Sequence, residues 1–141
     1  MRDLSWYDWS PDGTHVAYTR WNPNVGYSLW IADLLTGQNS LLAEGGGDPA
    51  WSPDGSRIAF RYVYGSGIYL IRPDGTSQQR LANAGISPIW SPDGKFLAYS
   101  NPSGRNSTYD VFRIPSSGGS AVNLTKNIDG DAWVQPGFGC R

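Results

Sequence analysis

The chain has 141 residues, a single-domain length able to bury a core. Lys plus Arg number 11 against 12 for Asp plus Glu, a formal net charge of −1, so nothing draws it generally to nucleic acid or an anionic membrane. No apolar run reaches the ~18 residues of a membrane-spanning helix, and the single cysteine, Cys140, excludes an internal disulfide.

The N-terminus, Met1-Arg2-Asp3-Leu4-Ser5-Trp6, has no apolar stretch after the arginine and does not read as a signal peptide. A cytoplasmic chain and one whose leader has been left off are both open. The first predicted strand covers 5–9 and ends in Trp9-Ser10-Pro11-Asp12-Gly13. Strands at 15–19, 28–32 and 39–43 follow. Trp51-Ser52-Pro53-Asp54-Gly55 repeats the motif, within strands at 48–51, 57–61, 68–71 and 79–82. Trp90-Ser91-Pro92-Asp93-Gly94 repeats it again, with strands at 87–90, 96–100, 110–114 and 121–125. Trp133-Val134-Gln135-Pro136-Gly137 keeps the Trp, Pro and Gly of a further copy.

A period of roughly 40 residues marks a repeat architecture, in which each unit must stack on its neighbours. In Ser-Pro-Asp-Gly, proline presets one turn dihedral and glycine accepts positive φ, so the motif is a hairpin turn. Each Asp reads as a turn former, not a catalyst. Eight residues after each Trp comes an alanine (Ala17, Ala59, Ala98), flanked by Val16 and Tyr18, Ile58 and Phe60, or Leu97 and Tyr99. Strand alternation puts the bulky pair on one face and the alanine on the other. One sheet's bulk then fills its neighbour's recess. Strand three repeats an aromatic (Trp30, Tyr69, Phe112) and strand four a leucine (Leu42, Leu81, Leu124), both read as core. The expected fold is all-β: a β-propeller of four-stranded antiparallel blades at about 5–43, 48–82 and 87–125, with 131–137 opening another.

The string of aromatic strand, Trp-Ser-Pro-Asp-Gly, Ile-Ala-Phe, Ile-Tyr, Asp-Gly and Leu-Ala resembles the repeat of the TolB-like propellers. The same repeat occurs in the propeller domains of prolyl oligopeptidase-family peptidases. The resemblance spans 5–127 strongly and 131–137 weakly. It implies a periplasmic or secreted scaffold that binds a protein or peptide. Three blades depart from the family's six or so, TolB's amino-terminal domain has no counterpart, and no residue matches the segment that docks Pal. Three blades are too few to close a ring. The chain is then either part of a longer propeller or a homo-oligomer of two or three chains that completes one.

Catalysis is not expected. The lone His15 has no Gly-x-Ser-x-Gly elbow to serve, and Gly45-Gly46-Gly47 precedes a strand, not a phosphate-binding helix. His and Cys clusters for a metal are absent. Binding is expected on the face carrying the variable loops between strands two and three. Trp21, Asn22 and Asn24 lie there in blade one, Tyr64 in blade two, and Arg105 and Asn106 in blade three. Trp21 has a second reading, packed back on the blade edge. Asp48, Asp129 and Asp131 fall between blades near the axis. They read as a solvated lining, or as a site for a hard cation such as Ca²⁺ if symmetry repeats them. Asn106-Ser107-Thr108 and Asn123-Leu124-Thr125 match the glycosylation sequon, meaningful only for a eukaryotic secreted protein. Accessory or gating propellers of peptidases or carbohydrate-active enzymes, and a self-assembling structural propeller, are the alternative roles.

Overall fold

The computed structural model describes residues 6–102 and 108–126. Its twelve strands form three antiparallel sheets of four, with no helix among the described residues. Blade one holds β1 (Tyr7–Trp9), β2 (His15–Asn22), β3 (Gly26–Asp33) and β4 (Asn39–Glu44). Blade two holds β5 (Gly46–Trp51), β6 (Ile58–Tyr62), β7 (Ile68–Ile71) and β8 (Gln79–Ala82). Blade three holds β9 (Ile86–Trp90), β10 (Phe96–Pro102), β11 (Tyr109–Pro115) and β12 (Val122–Asn123). Strands run in sequence order across each sheet, and the first strand of each blade reaches across to its neighbours: β5 touches β1, β2 and β3, and β9 touches β5 and β6.

The three Ser-Pro-Asp-Gly turns share one hydrogen-bond set. The glycine N–H donates to the serine carbonyl at 2.9 Å in all three. Ser10, Ser52 and Ser91 donate their hydroxyls to Oδ1 of Asp12, Asp54 and Asp93 at 2.6, 2.6 and 2.7 Å. The same carboxylate oxygen accepts the N–H of Thr14, Ser56 or Lys95, each at 3.0 Å. The serine oxygens accept the N–H groups of His15, Arg57 and Phe96. Every side chain the motif specifies is therefore spent inside the turn.

Packing between blades follows the bulk-and-recess pattern. One core cluster sets Ala17, Leu29 and Ile31 of blade one against Trp51, Ile58, Phe60 and Ile71 of blade two. The other sets Ala59, Ile68 and Leu70 of blade two against Trp90, Leu97, Tyr99 and Ile114 of blade three. Ala17 and Ala59 thus face the next blade's aliphatic and aromatic pair, and both are wholly buried. Covering decides exposure at equivalent positions: Trp51 is 7% and Trp90 9% exposed, whereas Trp9, with no blade before it among the described residues, is 50% exposed.

Two expectations need correction. Trp21 and Asn22 belong to β2, because the β2–β3 ladder runs on to the Asn22–Gly26 pair, and only a short turn remains as loop. Leu124 is not core. It lies beyond β12 and is 52% exposed, since no described blade covers that side, while Leu81 is buried and Leu42 half-buried. The proposed opening of a further blade at 131–137 lies outside the described residues.

Filling the recess is expected to damage the blade junction. Ala59→Leu should destabilise by about 1–3 kcal/mol, as overpacked cores do, measured by urea unfolding. The turns predict an acid sensitivity. Ser10 and Thr14 hold the Asp12 carboxyl at about 2, and Ser52 and Ser56 hold Asp54 at about 2, against an ordinary 3.8. Folded-state pKa values below the unfolded ones give stability that is full above ~4 and is lost as pH falls towards ~2. Unfolding midpoints should decline across that window, and Asp12→Asn with Asp54→Asn should flatten the decline.

Candidate functional site

Blades one and two meet at their loop face through Gly45, which joins β4 to β5 by itself. Its N–H donates to the Tyr27 carbonyl at 2.7 Å, and its own carbonyl accepts the Val63 N–H at 2.8 Å. That clamp brings the β6–β7 loop onto the start of β3. The glycines that follow are there for close approach: a Cβ on Gly46 would lie 2.9 Å from Leu29 Cβ, and one on Gly47 2.8 Å from Val63 Cγ2.

On this clamp sits a run of aromatic rings. The Tyr64 hydroxyl accepts the Tyr27 N–H at 3.2 Å, and the two rings are 6.0 Å apart between centroids. Tyr27 is in turn 6.0 Å from Trp6. Trp21 pairs with Tyr27 across the β2–β3 ladder, so a fourth ring stands beside the run. Gly26 has φ of 80°, and any side chain there would strike the Tyr64 ring. The Arg61 guanidinium lies 5.2 Å over Trp6 and its Nε donates to Asp48 Oδ2 at 2.7 Å. Tyr64 is 67% and Trp21 38% exposed. The result is a half-open aromatic patch on a hydrogen-bonded frame, with a cation at its inner end.

The candidates named from sequence divide among several places. Trp21 and Tyr64 both neighbour Tyr27, one by ladder pairing and the other by ring contact. Asn22 uses its Oδ1 to accept the Asn24 N–H at 2.8 Å, closing its own turn, and Asn24 is exposed there. Arg105, Asn106, Asp129 and Asp131 lie outside the described residues. Asp48 is only 8% exposed, ion-paired with Arg61, and accepts the Ser87 N–H at 3.3 Å across the next junction. Asp48 and Ser87 hold positive φ, 52° and 51°, at equivalent places in β5 and β9, where the inner strands bulge. No group of three or more His, Cys, Asp or Glu gathers for a metal among the described residues.

Trp6, Tyr27 and Arg61 were not singled out from sequence. Arg61 carried a signal: it occupies the place of Thr19 and Ser100 in the other blades, a cation where the repeat otherwise has a hydroxyl. On the opposite face, a cleft of about 290 Å³ lies between the turns of blades two and three, lined by Ser52, Asp54, Arg57, Trp90 and Asp93 among others. Arg57 spans it, 5.1 Å over the Trp90 ring and donating to the Ser116 carbonyl at 3.0 Å, which makes it a tie between blades.

The family model of the TolB β-propeller domain matches residues 6–140. Among solved structures, a TolB-type protein of Agrobacterium tumefaciens aligns at 26% identity and a TM-score of 0.75 over 88% of this chain and 50% of its own. TolB of Acinetobacter baumannii aligns at 26% identity and 0.73 over 89% of this chain and 32% of its own. This chain therefore spans half or less of those relatives. An acylaminoacyl peptidase of Pyrococcus horikoshii shares the fold at 19% identity and 0.64, over 84% of this chain and 24% of that one. No protein of curated function matches. The chain belongs to the TolB β-propeller family.

Proposed function

We propose that the chain is a non-catalytic propeller scaffold that binds a protein or extended peptide on its loop face. The observation that carries this reading is the patch of Trp21, Tyr27, Tyr64 and Trp6, part exposed and part locked by the Gly45 clamp. Rings held in place lose little freedom on binding, and Trp and Tyr are the residue types that anchor interfaces. Arg61 neutralised by Asp48 leaves the patch without a large net field, so the fitting ligand is an apolar or aromatic-bearing segment with few charges. Arg105 and Asn106, between β10 and β11 in sequence, are further contact candidates in this reading. Family membership supports a periplasmic or secreted location. The partner would be met on a closed ring, which three blades do not form alone.

A second reading is favoured by the peptidase neighbour and by an oligogalacturonate lyase, solved with manganese, that aligns at 20% identity and a TM-score of 0.65. In that reading the propeller gates or positions substrate for a catalytic domain elsewhere in the protein. A hydrolase or lyase domain encoded in the same gene would favour it.

The scaffold reading is tested by panning a random peptide library against the immobilised chain and titrating the selected peptides. Trp21→Ala with Tyr64→Ala should weaken them at least about tenfold, a loss typical of an anchor pair, while Asp74→Ala on the turn face leaves them unchanged. Equal affinity for the double variant would rule out the loop-face site.

A further inference from the structure

Two residues beyond the recess alanine, the second strand carries a hydroxyl in blades one and three, Thr19 and Ser100, and an arginine in blade two, Arg61. Thr19 and Ser100 are buried. Arg61 instead sets its guanidinium 5.2 Å over the Trp6 ring and stays 19% exposed. Blade two is packed by a blade on each side, so this residue stands between two formed junctions.

Two contacts hold the guanidinium in place. Its Nε donates to Asp48 Oδ2 at 2.7 Å, and the same oxygen accepts the Ser87 N–H of blade three at 3.3 Å. Trp6 covers one face of its plane. Asp48 is buried, so the cation cannot swing away without stranding a carboxylate. Its terminal nitrogens, Nη1 and Nη2, donate to nothing among the described residues.

Arg57, the other half-buried arginine among the described residues, shows what such nitrogens do in a structural tie. It also stacks on a tryptophan, but sends Nη1 across the junction to the Ser116 carbonyl at 3.0 Å. Exposed Arg80 closes on the Asn83 carbonyl through Nη2, also at 3.0 Å. Both meet a main-chain carbonyl. Arg61 presents the same stacked, oriented fork with no carbonyl to meet it, and a fixed fork suits planar oxygen acceptors. Charge selects among those acceptors. Asp48 already neutralises Arg61, so a second carboxylate would set two anions on one cation, whereas a neutral carbonyl adds no charge. The fork also stands at the inner end of the ring run, since Trp6 lies 6.0 Å from Tyr27 and Tyr27 6.0 Å from Tyr64.

We propose that Arg61 is the specificity-determining residue of the loop face: its Nη groups donate to one main-chain carbonyl of an extended peptide whose apolar side chain lies on Tyr27 and Tyr64. This rests on the loop-face reading and adds to it the polar contact that sets the peptide's register and direction. Apolar rings alone would let the segment slide.

The probes are the peptides selected by panning, synthesised with acetylated and amidated ends, and titrated with each amide in turn replaced by an ester, whose carbonyl is the weaker acceptor. Two altered proteins are compared by circular dichroism and then titrated. Arg61→Lys keeps the ion pair without the planar fork. Arg61→Met with Asp48→Asn removes both charges together and keeps a side-chain acceptor for the Ser87 N–H. In the unaltered protein one ester position should weaken binding several-fold. Both altered proteins should bind the all-amide peptide about tenfold or more weakly, the loss of a hydrogen bond from a charged donor, and that ester should cost nothing further in them. A purely structural role for Arg61 would leave the ester cost in place. Unchanged affinity in the altered proteins, a persisting ester cost, or peptides that bind only through a carboxylate would each overturn the assignment. Peptides that need Trp21 and Tyr64 yet ignore Arg61 would overturn it alone, whereas failure to select any peptide would remove the loop-face reading with it.

Discussion

The structure depends on a steric constraint between neighbouring sheets. An alanine on one blade leaves a hollow, and an aliphatic–aromatic pair on the next blade fills it. At Ala17 with Ile58 and Phe60, and at Ala59 with Leu97 and Tyr99, the hollow is filled and the alanine is fully buried. A larger residue would hold the sheets apart and expose both faces along their length. A smaller filler would leave a void whose lining loses dispersion contacts. The hydrophobic effect drives the sheets together, but this match of shapes sets their spacing.

The turns supply the other half of the order. Ser-Pro-Asp-Gly is closed by its own serine hydroxyl and aspartate carboxylate, so it fixes the hairpin register without help from the core. Register in turn decides which residues face the neighbour, since a slip of one position would send Ala59 to the side of Ile58. Local chemistry therefore guarantees the alignment that interblade packing needs. The loop face is freed from that duty, and there the three blades differ.

That division explains what could be read from the sequence. Trp51, Ile58, Ala59 and Phe60 recur at fixed spacing because the same physical demand recurs, so strands, turns and core were legible. The aromatic patch was only half legible. Trp21 and Tyr64 stood out as large residues near loops, but Trp6 and Tyr27 join them through the Gly45 clamp, a contact between blades that no local pattern encodes. Asp48 reads in sequence as a free acid beside the axis. Its pairing with Arg61 depends on a bulge at positive φ, which the residues around it, Gly47 and Pro49, suggest only in hindsight. Leu124 fits the leucine stripe in spacing, yet burial is a property of neighbours, and nothing described covers it.

The self-sufficiency of the Ser-Pro-Asp-Gly turn has an evolutionary corollary. Since its serine and aspartate side chains bond only within their own hairpin, a gene can duplicate or delete a whole unit without breaking these bonds in the turns elsewhere. What such an event disturbs is the seam alone, where one hollow must accept a new filler. Unit number can drift quickly in such a lineage, and the record of each gain or loss should be written in a handful of seam side chains.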